Sequence, residues 1–281
     1  MKIIDVLNCA IKELEKANVE NNKYEARAFL AHILGKPNEW IMIHINDEIT
    51  KQDTVILEQY VERRIGGEPF QYIIGNCGFM GLDFIVNKNV LVPRADTEVW
   101  VERVIELAKE TKASSILDLC TGSGCIAITL KRMLKDVLVY ASDVSKEALK
   151  VASENAVRND VEVKFICSNL FERFPADKFD IIVSNPPYIP REEIKKLARD
   201  VQNEPLLALD GGEDGLDFYR KIVKESNNFI NDNGYLVFEF GYDQVNQVKD
   251  ILEENGFSIC EIIKDYSTNT RAIISKKGVK E

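Results

Sequence analysis

The pattern of apolar positions divides the chain into a helical first part and a longer part in which helices and strands alternate. In the first 65 or so residues, apolar side chains recur at helical spacing, as at Leu7 and Leu14. A further helix is predicted to end at Gly35 and another to stop at Gly66, because glycine commonly ends helices. The segment 1–75 is therefore predicted to form a small helical domain.

A change of pattern between residues 76 and 95 predicts a β-hairpin linker. The apolar runs Phe79–Val86 and Val90–Val92 are typical of strands, and the polar segment Asn87–Asn89 between them is typical of a turn. We expect this hairpin to connect the helical domain to the rest of the chain.

From residue 96 to residue 281, predicted helices and strands alternate. This alternation favours a mostly parallel sheet covered by helices on both faces. Two closing strands, near 257–264 and 271–275, have too little chain between them for a crossover and should pair antiparallel. The prediction is a Rossmann-like α/β catalytic domain with a seven-stranded sheet.

Composition and charge exclude several functions. A net charge of −10 argues against a protein whose main activity is gripping nucleic-acid phosphates. Six scattered cysteines and only two histidines predict neither a metal site nor a disulfide framework. Charged residues near the N-terminus and the lack of a long apolar stretch predict a soluble, cytoplasmic protein without membrane contact.

A glycine loop, Asp118–Gly124, lies between a predicted buried strand and a predicted helix. Its glycines let the backbone turn tightly, and the following helix offers free N–H groups to a ligand. Asp143 ends the next strand, where a carboxylate can accept both hydroxyls of a ribose. Dinucleotide sites use the same arrangement, so these residues alone leave the ligand open.

The loop resembles the methyltransferase pattern Asp-x-Gly-x-Gly-x-Gly, except that Cys120 replaces the first glycine. This replacement is tolerable if Cys120 keeps a negative φ and its side chain points away from the cofactor, and it would otherwise cost affinity. We expect Cys120 to line the site through its backbone. After the third strand, Asn169 and Leu170 stand where methyltransferases place groups around adenine. The predicted S-adenosylmethionine (AdoMet) site consists of Cys120, Thr121, Gly122, Ser123, Gly124, Asp143, Leu170 and Asn185.

The segment Asn185-Pro186-Pro187-Tyr188 is the most specific motif in the chain. It directly follows a predicted buried strand, and its two prolines make the loop stiff. A planar amide nitrogen is a poor nucleophile unless its two N–H groups are held. The Asn185 oxygen and the Pro186 carbonyl are predicted to accept these hydrogens, while Tyr188 packs against the planar group. Asn185, Pro186 and Tyr188 are the predicted catalytic residues, and all four residues are the predicted substrate-binding site.

Beyond this motif, the chain resembles the HemK/PrmC family of release-factor glutamine methyltransferases. The resemblance covers about residues 60–275 and implies a class I AdoMet-dependent fold. It implies that the helical domain binds substrate and that the substrate is the Gly-Gly-Gln loop of class 1 peptide chain release factors. The segments that carry it are Arg64–Gly75, Phe79–Phe84, Val90–Glu98, Asn185–Pro190, Glu204–Pro205, Ala208–Leu216 and Phe238–Gly241.

Two other functions are compatible with the motif. Adenine-N6 and guanine-N2 methyltransferases carry the same tetrapeptide, but the acidic charge speaks against a direct nucleic-acid substrate. A non-catalytic module that binds AdoMet structurally would not need the intact tetrapeptide. Glutamine methylation is therefore the favoured hypothesis.

Overall fold

The chain forms two compact units. The computed structural model describes residues 1–174 and 178–278. One unit comprises Met1–Gly75 together with Ala198–Asn203, and the other comprises Asn76–Leu197 and the chain from Glu204 onward. No sequence signal indicated that the short segment 198–203 belongs with the N-terminal helices.

The first unit is a helical bundle around one apolar core. Its core includes the fully buried side chains of Leu14 on the first helix and of Phe29 and Leu30 on the second. The side chain of Thr50 caps a helix by accepting the N–H of Asp53 at 3.1 Å. The helices are α1 (Ile3–Lys16), α2 (Asn22–Leu34), α3 (Asn38–Ile43), α4 (Lys51–Ile65) and α5 (Phe70–Ile74), and Ala198–Asn203 adds α9 (Arg199–Gln202).

An ion cluster fixes the segment 198–203 to these helices. The Arg64 guanidinium bonds Glu25 at 2.7 Å and Asp200 at 3.1 Å. The Asn203 amide donates to the carbonyl of Gly67 at 3.0 Å. Side-chain contacts thus join two parts of the chain that are more than a hundred residues apart.

The second unit is a seven-stranded sheet with helices on both faces. The strands are β3 (Ser115–Leu119), β4 (Leu138–Asp143), β5 (Lys164–Cys167), β6 (Phe179–Ser184), β7 (Ile230–Glu239), β8 (Phe257–Lys264) and β9 (Thr270–Lys277). The strand order is β5-β4-β3-β6-β7-β9-β8, in which β9 pairs antiparallel with β7 and β8 and the other pairs are parallel. The predicted Rossmann-like fold is confirmed. The helices are α6 (Ala95–Thr111), α7 (Cys125–Met133), α8 (Lys146–Arg158), α10 (Leu206–Leu209), α11 (Asp217–Ser226) and α12 (Val245–Glu254), with a 3-10 helix at Arg191–Lys196.

The sheet is buried on both faces. Ile116 packs into one apolar cluster and its neighbour Leu117 into the other, because successive side chains of a strand point to opposite faces. All residues of β3 after Ser115 are buried. The loop that begins at Cys120 is therefore anchored to a well-packed strand.

The linker forms a hairpin, but its turn lies elsewhere than predicted. The strands are β1 (Asn76–Phe79) and β2 (Leu82–Ile85), joined at Met80 and Gly81. The chain does turn at 87–89, where Val90 donates its N–H to the Asn87 carbonyl at 3.1 Å, but this turn does not join the two strands, and the predicted strand at 90–92 was wrong. Met80 and Gly81 have φ values of 50° and 74°, the positive values that a tight two-residue hairpin turn requires.

The hairpin is tied to the glycine loop through one buried residue. The Asn155 side chain accepts the N–H of Ile85 at 2.6 Å and donates to the carbonyl of Ser123 at 2.9 Å. Asn155 lies on α8 and is fully buried. A single amide therefore aligns the hairpin, α8 and the loop that follows β3.

Candidate active site

The predicted site residues gather at the carboxyl edge of the parallel strands. In sheet order, Leu170 follows β5, Asp143 ends β4, the glycine loop follows β3 and Asn185 follows β6. Parallel sheets of this kind bind ligands at this edge, where the strand order reverses. Here the reversal falls between β3 and β6, the two strands that carry the two predicted motifs.

A cleft with about 950 Å³ of empty space opens at this edge. Of the predicted residues, it is lined by Cys120, Thr121, Gly122, Ser123, Asp143, Leu170, Asn185 and Pro187. Gly124, Pro186 and Tyr188 do not line it. The cleft also has lining residues for which we had predicted no binding role: Asn89–Arg94, Thr97, Pro205, Leu207, Ala208 and Phe218.

Family resemblance was the only sequence signal for most of these additional residues. Most of them lie in the segments Val90–Glu98, Glu204–Pro205 and Ala208–Leu216, which matched the family without an assigned role. Their periodicity and composition resemble those of ordinary loop and helix residues. Only the folded chain shows that both segments reach one cleft.

The two glycines of the loop serve different purposes. Gly122 has a φ of 55°, and a Cβ built on it would meet no atom within 4 Å, so its position faces open space in the cleft. Gly124 has a φ of 80° and begins α7, but a Cβ there would lie 3.0 Å from side-chain atoms of Ala152 and Ile128. Gly122 thus leaves room for a ligand, whereas Gly124 allows α7 and α8 to pack closely.

Cys120 does not meet the first condition under which it would replace glycine readily. Its φ is 61°, in the left-handed region, and not negative. The positive φ of Cys120 follows from the next residue, because both the backbone and the side chain of Thr121 are held by hydrogen bonds. The Thr121 N–H donates to the carbonyl of Ser142 at 2.9 Å, and its hydroxyl donates to Asp118 at 2.6 Å. The Cys120 side chain packs against the apolar cluster that contains Leu119.

Asp118 is a buried acid beneath the glycine loop. It is fully buried, and one of its oxygens accepts the Thr121 hydroxyl. Within the described residues, its Oδ1 has no hydrogen-bond partner. The pKa of Asp118 is raised to about 7 in all: burial is the main cause and the nearby charge of Asp143 adds to it, while the Thr121 hydrogen bond opposes the rise. Asp118 supports the loop and does not line the cleft.

Asp143 is fixed by backbone donors. It accepts the N–H of Gly122 at 3.0 Å and the N–H of Ser145 at 2.8 Å, one on each carboxylate oxygen. Burial raises the pKa of Asp143, and the backbone N–H groups of Ser145 and Gly122 oppose that rise. Each oxygen keeps a lone pair, so the carboxylate can still accept hydroxyl groups from the cleft.

The acceptors of the tetrapeptide are unengaged. Within residues 1–174 and 178–278, the Asn185 side-chain amide makes no hydrogen bond and the Pro186 carbonyl receives none. Asn185 is half-buried and lines the cleft. Pro186 and Pro187 are buried and carry no N–H. The Asn185 amide is thus available to a ligand in the cleft, whereas the unengaged Pro186 carbonyl belongs to a buried residue that does not line it.

The loop is braced by the glycine-rich segment that follows α10. Ile189 donates its N–H to the carbonyl of Leu209 at 3.0 Å, and Gly211 donates to the carbonyl of Ile189 at 2.9 Å. A Cβ at Gly211 would lie 2.8 Å from backbone atoms of Tyr188. The segment 208–216 therefore needs glycine because it passes against the backbone of the tetrapeptide.

Tyr188 packs against the apolar cluster that includes Phe238. Burial raises the pKa of its phenol and the charge of Glu239 raises it further, while Arg271 and Arg94 lower it. The phenol is therefore neutral at ordinary pH. Within the described residues, no group of His, Cys, Asp and Glu side chains is arranged to hold a metal, and no helix there is long and apolar enough to cross a membrane.

The sheet order is that of the Rossmann-like methyltransferases. A family model described as a methyltransferase small domain matches residues 97–201. A second, described as the PrmC N-terminal domain, matches residues 5–75. A solved methyltransferase from Pyrococcus furiosus shares the fold, with a TM-score of 0.53 and 20% identity over 71% of this chain and 91% of that chain.

Two relatives define the family. The release factor glutamine methyltransferase of Fusobacterium nucleatum is 41% identical over 281 residues, which cover 99% of this chain and 79% of that protein. The release factor glutamine methyltransferase of Clostridium acetobutylicum is 39% identical over 283 residues, which cover 99% of each chain. The chain belongs to the release factor glutamine methyltransferase family.

Proposed function

We propose that the chain transfers a methyl group from AdoMet to the side-chain amide nitrogen of a glutamine in a protein. The proposed glutamine is that of the Gly-Gly-Gln loop in class 1 peptide chain release factors. The observation that carries the proposal is the unengaged Asn185 amide, which lines the cleft together with the glycine loop, and the likewise unengaged Pro186 carbonyl of the next residue would supply the second acceptor. Family membership supports the choice of a release factor as substrate.

The residues around the cleft fit AdoMet. Gly122 leaves open space for a ligand against the loop, and Asp143 offers carboxylate lone pairs suited to ribose hydroxyls. Leu170 contributes an apolar surface suited to an adenine ring. When bound, AdoMet would supply an electrophilic methyl group. We place its binding at Cys120–Gly124, Asp143, Leu170 and Asn185.

The proposed work of the tetrapeptide is positioning. A glutamine amide has two N–H donors, and the Asn185 oxygen and the Pro186 carbonyl supply two acceptors on a loop of fixed geometry. Holding both hydrogens orients the nitrogen lone pair toward the methyl donor. As the N–C bond formed, the S–CH3 bond of the methyl donor would break, its electron pair would stay on the sulfur of S-adenosylhomocysteine, and the surplus proton of the nitrogen would pass to solvent. Effective concentration and fixed dipoles can each lower such a barrier by several kcal/mol.

Tyr188 is proposed to form one wall for the planar amide. Its backbone is braced by the segment 208–216, and its neutral phenol suits packing and not proton abstraction. Pro187, which lines the cleft, would limit the space on the opposite side of the amide. We also propose that the enzyme works in the cytoplasm without a metal ion or membrane contact, and that the helical unit contributes to protein binding.

The proposal is tested by transfer of labelled methyl from AdoMet to a purified class 1 release factor. The matched control is the same release factor with its loop glutamine changed to alanine. We expect labelling of the first and none of the second. Labelling of DNA or RNA in place of protein would reverse the choice of substrate, since related tetrapeptides act on nucleic-acid amino groups.

A further inference from the structure

The cleft contains one cationic side chain. Among the described residues that line it, Arg94 is the sole lysine or arginine and Asp143 the sole aspartate or glutamate. In a cleft otherwise lined by neutral side chains, these two charges determine which charged ligand groups are stabilised. Asp143 suits the hydroxyls of a ribose, whereas Arg94 suits a negatively charged group of the ligand.

Arg94 is held in place by a buried carboxylate. Its Nη2 donates to Glu204 Oε1, and the second oxygen of Glu204 accepts the N–H of Val92 at 2.9 Å. The Glu204 side chain is only 2% exposed, whereas that of Arg94 is 38% exposed. One carboxylate thus fixes both the guanidinium and the backbone two residues before it.

Most of the donors of Arg94 remain available. A guanidinium carries five N–H donors, and within the described part of the chain Arg94 donates to Glu204 alone. A residue that served only to pair with Glu204 would have no reason to line the cleft. The exposed edge of the planar group is suited to a ligand carboxylate, which Arg binds in a bidentate manner.

The position of Arg94 along the sheet edge separates it from Asp143. Thr97, one turn further along α6, donates its hydroxyl to Glu239 at the end of β7 at 2.6 Å. Arg94, at the start of α6, therefore lies toward β7, whereas Asp143 ends β4. The glycine loop and Asn185 come between them in the strand order.

We infer that Arg94, positioned by Glu204, binds the α-carboxylate in the amino-acid portion of AdoMet. This inference rests on the proposed function. A ligand with its ribose at Asp143 and its amino-acid portion extending past β3 would bring its carboxylate toward Arg94. Arg94 then acts as a binding residue for the methyl donor, and Glu204 acts through it as a positioning residue.

The chemistry favours the carboxylate over the target glutamine. A glutamine side chain and its flanking peptide groups are neutral, and the unengaged acceptors at Asn185 and Pro186 already match its two donors. A carboxylate carries a full negative charge that needs a charged or multiple-donor partner when it leaves water. Arg94 is the partner of that kind that the described cleft supplies.

The test compares two ligands by calorimetry. S-adenosylhomocysteine retains the carboxylate, whereas 5′-methylthioadenosine has the same nucleoside and a thioether but lacks the amino-acid portion. We expect Arg94→Met to weaken S-adenosylhomocysteine binding roughly 10- to 100-fold, the range for a hydrogen bond to a charged group. Binding of 5′-methylthioadenosine should stay within about 2-fold of the unmodified protein, since no contact to the nucleoside is lost. The affinity of Arg94→Lys for S-adenosylhomocysteine should lie between those of the unmodified protein and of Arg94→Met.

Glu204→Gln is the second variant. It keeps an acceptor for the Val92 N–H but removes the charge that orients Arg94, so we expect a smaller loss confined to S-adenosylhomocysteine. Arg103→Met is the matched control, because Arg103 lies on α6, the helix that Arg94 directly precedes, and is also ion-paired, bonding Glu261 at 2.9 Å, but does not line the cleft. It should leave both affinities unchanged.

The outcomes separate this inference from the proposed function. Equal weakening of both ligands by Arg94→Met, or unchanged affinity for both with a raised KM for the release factor, would overturn the role of Arg94. If the unmodified protein bound neither ligand, both the inference and the proposed cofactor would fall. If it bound S-adenosylhomocysteine but methylated no release factor, the proposed substrate would fall and the calorimetry would still decide the role of Arg94.

Discussion

Gln244 donates a hydrogen bond from Nε2 to the backbone carbonyl of Tyr188 at 2.9 Å, while its Oε1 accepts the N–H of Gly241 at 3.0 Å. Gln244 is buried at the start of α12, just beyond the end of β7. One side chain thus couples the loop after β6 to the chain leaving the neighbouring strand. The position of the proposed catalytic loop is therefore set by contacts outside the tetrapeptide.

Gly215→Ala tests this coupling. A Cβ at Gly215 would lie 2.6 Å from Gln244 Nε2 and also against the Tyr188 carbonyl, so the loop or Gln244 must shift. We expect kcat to fall roughly 100-fold, as for a misplacement of about 1 Å at a reacting group. S-adenosylhomocysteine affinity, measured by calorimetry, should change little because Gly215 does not line the cleft.

Gly256→Ala is the matched control for this variant. Gly256 has a φ of 85°, similar to the 78° of Gly215, but a Cβ there would meet no atom within 4 Å. Both variants carry the strain of a left-handed residue, about 1 kcal/mol. Only Gly215→Ala should lose turnover, and equal losses in both variants would show that backbone strain alone is responsible.

Asn185→Ala removes one of the two proposed acceptors. We expect turnover to fall by about 10²- to 10³-fold, the usual cost of removing one positioned hydrogen-bonding group from an active site. The melting temperature should change little, because the Asn185 amide makes no hydrogen bond within the described structure. Methyl transfer and thermal unfolding measured on the same preparation check both parts. A variant that kept its full turnover would end the proposed mechanism.

Cys120 can be tested through its backbone conformation. Cys120→Gly relieves the strain of a φ of 61° but loses packing and adds freedom to the unfolded chain, so the free energy of unfolding should change by less than about 1 kcal/mol. Cys120→Val places a β-branched residue in the same conformation and should lower stability by more than about 1 kcal/mol. Urea unfolding distinguishes the two, and equal effects would contradict the left-handed conformation.

The buried acid Asp118 predicts a dependence of stability on pH. Its folded-state pKa of about 7 lies above the usual 3.8, so between these values the folded chain holds a proton that the unfolded chain has lost. Stability should therefore fall as pH rises through this window, by at most about 1.4 kcal/mol per pH unit. Asp118→Asn should flatten this slope in thermal unfolding measured at several pH values.

Asp180→Asn provides a contrast of opposite sign. Burial raises the pKa of Asp180, but hydrogen bonds from Ser114, Asn231 and Ser115 outweigh it and lower the net value. Its stabilisation is present above its usual pKa and is lost as pH falls through the lowered one. The Asn variant should therefore lose most stability near neutral pH. A steeper neutral slope in Asp118→Asn than in the unmodified chain would contradict the assignment for Asp118.

The sheet and the meeting of the two motifs were predictable for a physical reason. Buried parallel strands appear as apolar runs, as in Ser115–Leu119, and the ends of parallel strands must lie at one edge of the sheet. The fold prediction was confirmed in its strand types and in its antiparallel closing pair. The roles assigned to the individual site residues stay predictions.

The features that were missed depend on contacts that are distant in sequence. The φ of Cys120 follows from bonds that Thr121 makes to Ser142 and Asp118, and a cysteine gives no local indication of a left-handed conformation. The hairpin turn was missed because Met80, unlike Gly81, is an uncommon residue at positive φ. The position of Arg94 in the cleft depends on Glu204, which lies 110 residues away.

A unit built from two stretches of chain cannot be separated by one cut. Cleavage after Gly75 would leave Ala198–Asn203 covalently attached to the sheet-containing fragment, yet bonded to the helices through Asp200 and Asn203. We expect the two fragments to copurify after a single proteolytic cleavage. A fragment made of residues 76–281 alone would expose the segment Ala198–Asn203 without the helices that it binds. A separate sheet-containing fragment should therefore lack this segment, and a separate helical fragment should be supplied with it.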